Sequence, residues 1–343
     1  MVTVVTISFT KTGGAPLMTL DCLGPCFGKV GVQETVQSAT DYIKERQDEL
    51  VGNTLQRFVF ENSDIRGEIV SLDSSWQSVL KRRAYPPAIR TLLGEITAAT
   101  ILLSATIKID GTLAIQFKGK SKLQLLISET TNSCTFRAMA KWKNNDEINQ
   151  KDTHLLNNGV LAVTITPRES GQPYQGLVEV GEKSIQEAVE NYMEKSEQLT
   201  TRLWLASDDQ KIAGILLQKL PKTYDAESEA WNRITTLAST ITDEELLTLN
   251  PKNILRRLFH EETIRIFEEQ KINFSCSCSE ERTEQMLQSL GEMEARSILA
   301  EQDSVDITCE FCGKKYIYSS SGVDRIFSNR SGETIQKPSD AVN

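Results

Sequence analysis

Positive charge is in short supply, with 38 Lys and Arg against 47 Asp and Glu, a formal net charge of -9 and a pI near 5.1. That balance argues against sequence-independent binding along a phosphate backbone, which needs clustered cations to displace counterions. Histidine is scarce too, present only as His154 and His260. His260-Glu261-Glu262 opens like a zinc-protease helix, but position 264 is Ile, so the second ligand is missing and a linker-helix histidine is the better reading. His154 stands in a polar loop without a recognisable partner and receives no role. Aromatics make up only 6% of the chain. No stretch reads as the roughly 20 apolar residues that cross a bilayer. The N-terminus lacks a basic start, an apolar run and a small-residue cleavage site. An integral membrane protein and a secreted one are both disfavoured. Gly119-Lys120-Ser121 imitates the end of a phosphate-binding loop, but the required first Gly falls at Ala114, so a strand end with solvated lysines is expected.

Cysteine is the informative scarcity. Seven are too few and too uneven for a disulfide-stapled fold, and four of them crowd into residues 276 to 312. In a chain without a secretion signal, such clustering points to metal or redox chemistry.

At 343 residues the chain exceeds one compact domain. Residues 1–50 read as a poorly ordered extension, polar and Gly-interrupted, without a sustained period. Lys11 is its only charge before Asp21, a weak organelle-targeting pattern, although no Arg precedes Arg46; a start further downstream is the competing reading. Cys22 and Cys26 form a Cys-x-x-x-Cys there, read as inert thiols.

Residues 51–225 read as one α+β domain built on antiparallel strands. Pro86 and Pro87 open a buried helix, AIRTLLGEITAATILLS, expected to be the spine of the core. ATIKIDGTLAIQFKG suggests two strands around Asp110-Gly111, and more are expected at KLQLLIS, CTFRAMA, GVLAVTIT and YQGLVEV. Cys134 falls in one of these as a buried small hydrophobe. Ser184 and Glu187 form a capping box for a helix carrying Ile185, Ala188, Val189, Tyr192 and Met193 on one face. Residues 226–270 turn charged and helical, with a second capping box from Thr242 to Glu245. The apolar stripe of Trp231, Ile234, Leu237, Leu255, Leu258 and Phe259 is too small to form a core of its own, so this linker should dock on a neighbour. Residues 271–320 form a small zinc-binding domain, and 321–343 a flexible tail.

The chemistry lies in Cys276-Ser-Cys278 and Cys309-Glu-Phe-Cys312-Gly313. Two close pairs across a short spacer match a tetrahedral zinc-thiolate site, and four thiolates leave no open position for a catalytic water, so no enzyme is expected. Each pair can also reach the Cα separation of about 4.4 to 6.8 Å that a disulfide needs, so the site can oxidise locally. Structural zinc contributes an apparent ~10 to 16 kcal/mol in small metal-dependent folds, comparable to the ~5 to 15 kcal/mol of whole domains. Losing the metal should therefore unfold the segment, an order-to-disorder switch beside a metastable linker.

These residues also resemble the heat shock protein 33 family. The resemblance is carried by RFVFENSDIRGEIVSL at 57–72, LLGEITAATILLSATIKIDGTLAIQFKG at 92–119, GQPYQGLVEV at 171–180, AGILLQKLP at 213–221, ILRRLFHEE at 254–262, and FSCSCSEER with CEFCGKKY. It implies an ATP-independent holdase, inactive while reduced and holding one zinc per chain on Cys276, Cys278, Cys309 and Cys312. Under oxidative and heat stress, it implies, Cys276 pairs with Cys278 and Cys309 with Cys312, zinc leaves, the linker unfolds, and a homodimer holds unfolding client proteins. The chain departs from the family in its leader of about 50 residues and in Ala213, where a second Gly often sits.

A zinc-ribbon nucleic-acid-binding or adaptor protein is the alternative, disfavoured because residues 271–320 carry nine acidic and five basic side chains. A thiol-disulfide oxidoreductase would need an exposed reactive pair on a βαβ frame, which the sequence lacks. The expected location is the cytoplasm, with neither nucleic acid nor membrane as partner.

Overall fold

The structure is a computed structural model that describes residues 5–7 and 52–328, apart from 108–109, 144–147, 149–151, 153, 169–170, 182–183 and 222–227. The chain divides into a first unit ending at Phe274 and a second beginning at Ser275. The first runs β1 (Val5–Ile7), β2 (Thr54–Phe60), β3 (Ile65–Leu72), α1 (Ser74–Leu80), α2 (Pro87–Thr106), β4 (Gly111–Lys118), β5 (Leu123–Thr131) and β6 (Thr135–Trp142). It continues with β7 (Val160–Pro167), β8 (Tyr174–Glu179), α3 (Ile185–Lys195), β9 (Thr201–Ser207) and β10 (Ile212–Lys219). Three short helices follow, α4 (Ser228–Ala238), α5 (Asp243–Thr248) and α6 (Pro251–Phe259), then β11 (Ile264–Ile266), β12 (Gln270–Lys271) and β13 (Asn273–Phe274).

These strands make two largely antiparallel sheets, an α+β architecture. One has the order β1-β11-β2-β3-β10-β9, with β12 also on β2; the other has the order β13-β6-β5-β4-β7-β8. Helix α2 packs on strands of both and is the spine of the core. Pro87 stands at its first turn, where a missing N–H costs nothing. Gly94 lets it approach the sheet, since a Cβ there would fall 1.9 Å from Ser207 Oγ. By length and mean hydropathy this helix could cross a bilayer, which corrects the expectation that no stretch is apolar enough. Its apolar surface is accounted for by burial, with Leu93, Ile96, Ala99, Ile101, Leu102 and Leu103 all inside the core.

The helix also runs on through Ala105 and Thr106, so the strand expected before Asp110 is absent up to Ile107, while residues 108–109 lie outside the described ones. The expected strands at β5, β6, β7 and β8 are present, and the capping box of Ser184 and Glu187 starts α3. Gly119-Lys120-Ser121 follows the end of β4, with Ala114 inside that strand. Cys134 is not in a strand: it takes φ 57° in the turn before β6, where Cys134 N donates to Thr131 O, and its side chain is half-buried. Of residues 1–50, only Val5–Ile7 are described, paired antiparallel with β11; the leader reading, Cys22 and Cys26 included, otherwise lies outside the described residues.

Strands β3 and β10 are buried on both faces. Val70, Leu72, Ile212 and Leu216 face the core around α2, while Ile65, Ile69, Ala213, Ile215 and Leu217 face the opposite way. Successive side chains alternate across a strand, so two cores need two covers. The second cover is the linker. Trp231, Ile234, Leu246, Ile254, Leu255, Leu258 and Phe259 pack on that outer face together with Phe58 and Phe60. Gly67 leaves room for Phe58 to lie across the sheet, because a Cβ at position 67 would sit 2.2 Å from its ring. Thr242 and Glu245 form the capping box that starts α5, and Asn250 with Pro251 starts α6.

The second unit contains α7 (Glu280–Leu290), α8 (Glu292–Glu301), β14 (Val305–Thr308), β15 (Lys315–Tyr318) and α9 (Ser320–Ser328). Strands β14 and β15 form a hairpin. Its core is small, built from Leu287, Ala295, Val305, Tyr316, Tyr318, Val323, Ile326 and Phe327. Helix α9 occupies part of the expected flexible tail: Val323, Ile326 and Phe327 fall on one helical face and supply apolar cover that the hairpin lacks.

Candidate metal centre

Two chain segments bring four sulfurs together. The first is the extended stretch Cys276-Ser277-Cys278, which ends where Ser279 caps α7 by accepting from Arg282 N. Arg282 folds back and donates to Ser277 O and Ser277 Oγ, fixing the chain between the cysteines. The second is the tip of the β14–β15 hairpin. There Cys309 N donates to Lys314 O and Gly313 N to Cys309 O, closing a tight turn around Cys312. Gly313 takes φ +71°, a left-handed conformation that favours glycine.

The Sγ atoms of Cys276, Cys278, Cys309 and Cys312 all lie within 4.8 Å of one another. Cys276 Sγ is 3.6 Å from Cys309 Sγ, and Cys278 Sγ is 3.3 Å from Cys312 Sγ. Zinc-sulfur bonds of about 2.3 Å in a tetrahedron put sulfurs about 3.8 Å apart, so the donor set fits a zinc ion. All four residues are half-buried.

Electrostatics give the same answer. Burial pushes the Cys312 thiol up to about 12 and raises Cys276 as well. At Cys278 burial acts upward, but Tyr316 and the three neighbouring thiols together outweigh it and bring the group down to about 7. One sulfur ionises easily, while burial holds its neighbours Cys276 and Cys312 protonated. A divalent cation offsets that effect of burial and ionises its ligands outright. Tyr316 Oη is buried without a hydrogen bond of ordinary geometry, and a thiolate at Cys278 is the acceptor it lacks.

Sequence spacing singled out all four cysteines. It missed Tyr316, whose only signal is the alternation in Lys315–Tyr318 that turns Tyr316 and Tyr318 inward. His260 caps the exposed end of α6 and pairs with Glu261, and His154 contacts Asn157; neither approaches a metal-binding group among the described residues.

The folded chain also has solved and curated relatives. A crystal structure of the 33 kDa chaperonin from Thermotoga maritima superposes with a TM-score of 0.71, covering 82% of this chain and 100% of that one at 17% identity, which speaks to fold alone. Proteins named 33 kDa chaperonin from Methylobacillus flagellatus and Chromobacterium violaceum are 45% and 43% identical, over 81% and 80% of this chain and 95% and 93% of theirs. The family described as Hsp33 protein matches residues 53–319, a span that takes in every strand of the two sheets except β1, the docked helices and all four clustered cysteines. By that match and those identities, the chain belongs to the heat shock protein 33 family.

Proposed function

We propose that this protein is a redox-regulated, ATP-independent holdase, inactive when reduced and zinc-bound and activated when oxidation releases the metal. The observation that carries the reading is the apolar layer between the linker helices and the outer face of the β2-β3-β10 sheet. Such a layer is a latent client surface: exposed, it forms a contiguous apolar patch of the kind that binds unfolding chains. The relatives' name, 33 kDa chaperonin, supports a chaperone.

Zinc on Cys276, Cys278, Cys309 and Cys312, one ion per chain, supplies the folding energy of the second unit, whose own core is small. Oxidation joins Cys276 to Cys278 and Cys309 to Cys312, consuming the ligands. The chain beyond Phe274 then loses its anchor, and helices α4 to α6, at the low end of the local stability range, lift off the sheet. The domain roles follow: residues 51–225 hold clients and form the homodimer, 226–270 act as cover, and 271–320 as sensor. Nothing in this scheme uses a catalytic group, a nucleic acid or a membrane, and the reducing cytoplasm is the location that keeps the resting state zinc-bound.

The experiment is light scattering from a chemically denatured client without ATP, with released zinc followed by a chromogenic chelator in the same cuvette. Peroxide at elevated temperature is expected to release one zinc per chain and suppress aggregation, and reductant to reverse both. Full suppression by the reduced zinc-loaded protein contradicts the proposal.

A further inference from the structure

A cleft of about 160 Å³ lies in the first unit, where the C-terminal turn of α2 meets β2, β4, β5 and β12. An engineered protein cavity of about 150 Å³ holds benzene, so this cleft accommodates a ligand body of similar size. Leu55, Ile107, Leu113, Ile165 and Ile272 give it an apolar lining.

Two features set it apart from a packing gap. Thr130 is 2% exposed, lines the cleft, and its Oγ1 has no hydrogen-bond partner. A buried hydroxyl left unpaired carries a desolvation penalty that a ligand oxygen relieves. Arg57, an exposed residue, is the one charged residue in the lining among the described residues. Of the nearby carboxylates, Asp110 is already held by Asn132 Nδ2 and Arg168, and Glu68, opposite Arg57 on β3, is buried and faces Arg66 as well as Arg57.

We propose that this cleft binds a small carboxylate with a short apolar body, its charge paired with Arg57 and Thr130 Oγ1 donating to a ligand oxygen. The binding does not depend on the chaperone reading, but it has a consequence for it. Gln270 and Ile272 form one wall, in the segment where Ile272 N donates to Asn53 O and Asn273 N to Cys134 O. That segment leads from the docked helices to the metal-binding unit. An occupied cleft braces it and slows hydrogen exchange at residues 270–274.

Cys134, half-buried in the lining, reports occupancy. Full-length zinc-loaded protein is alkylated with N-ethylmaleimide in the presence of benzoate, benzamide or benzylammonium, and modification at Cys134 is followed by peptide mass spectrometry. Benzoate is expected to slow alkylation about tenfold at about ten times its Kd. Benzamide should protect less, and benzylammonium not at all. Arg57→Gln should bring benzoate down to the level of benzamide, and Ala105→Phe, which fills the cleft, should remove protection by both. Should Ala105→Phe fail to fold, Thr130→Val keeps the shape, and benzoate should protect it several-fold more weakly. No protection by benzoate, equal protection by all three probes, or unchanged benzoate protection in Arg57→Gln overturns the proposal.

Discussion

Phe60 of the core sheet and Phe259 of the last linker helix meet edge to face, their ring centroids 5.1 Å apart and their planes at 87°. Both are buried, and Phe58 adds a third ring 6.2 Å from Phe259. The contact joins two parts of the chain that, on the proposed mechanism, separate during activation. Phe259→Ala removes a fully buried ring at a cost of about 3 to 5 kcal/mol, charged chiefly to docking. The linker helices should then exchange amide hydrogens much faster while β4, β5 and β6 keep their protection, read peptide by peptide in the reduced protein. Uniform loss of protection across both sheets would show that the helices are part of one cooperative core.

The sulfurs make a sharper prediction. In the folded unit all four sulfurs lie within 4.8 Å of one another, Cys276 Sγ 3.6 Å from Cys309 Sγ and Cys278 Sγ 3.3 Å from Cys312 Sγ, so cross-pairs compete with local ones. Sequence neighbours stay within bridging distance after the unit melts, whereas cross-pairs drift apart. Peptide mapping after peroxide and mild heat should therefore find Cys276 joined to Cys278 and Cys309 to Cys312. Dominant cross-pairs would contradict local oxidation as the step that releases the metal.

Chelation of the reduced protein tests the metal's share of stability. With eight buried side chains as its core, the second unit should lose protection over residues 276–328 once the metal is gone, while β2, β3 and β10 stay protected. A folded metal-free unit would place the switch elsewhere.

Glu68 supplies a pH dependence. Burial raises its carboxyl from 4.5 to about 7 against the downward pull of Arg66 and Arg57, and Oε2 has no partner. The folded state thus binds the proton more tightly than the unfolded chain. Glu68's contribution to stability is full below about pH 4.5 and is lost as pH rises through about 7, on the order of 3 kcal/mol in all. Glu68→Gln removes this group's part of the slope, so the variant's Tm relative to the parent should climb from about pH 5 to about pH 8. A constant difference across that range contradicts a neutral buried Glu68.

Much of this was legible in the sequence, for identifiable reasons. The capping boxes at Ser184 and Thr242, the Pro-led helix α2 and the strands of the second sheet carry local signals that tertiary contacts do not override. Strand β10 was not legible: AGILLQK is covered on both faces, so it lacks the alternation that marks a half-buried strand. The same double cover is the mark of a docked linker, and it appears only when α2 and α6 are placed on opposite sides of one sheet. The four cysteines announced themselves by spacing, whereas Tyr316 and the Thr130 cleft depend on contacts between segments far apart in the chain.

The most direct test separates linker release from redox chemistry. Leu258 is 2% exposed in the apolar layer on the sheet, in the first unit, whereas the four clustered cysteines are in the second. Leu258→Asp buries a charge there and should undock the helices with all four cysteines reduced and zinc retained. Hydrogen exchange across residues 228–266 and client light scattering are measured on the same reduced sample without ATP. The expected result is fast exchange over those residues, one zinc per chain and suppressed client aggregation in the absence of oxidant. Fast exchange and retained zinc without suppression would show that uncovering this face does not create the client site.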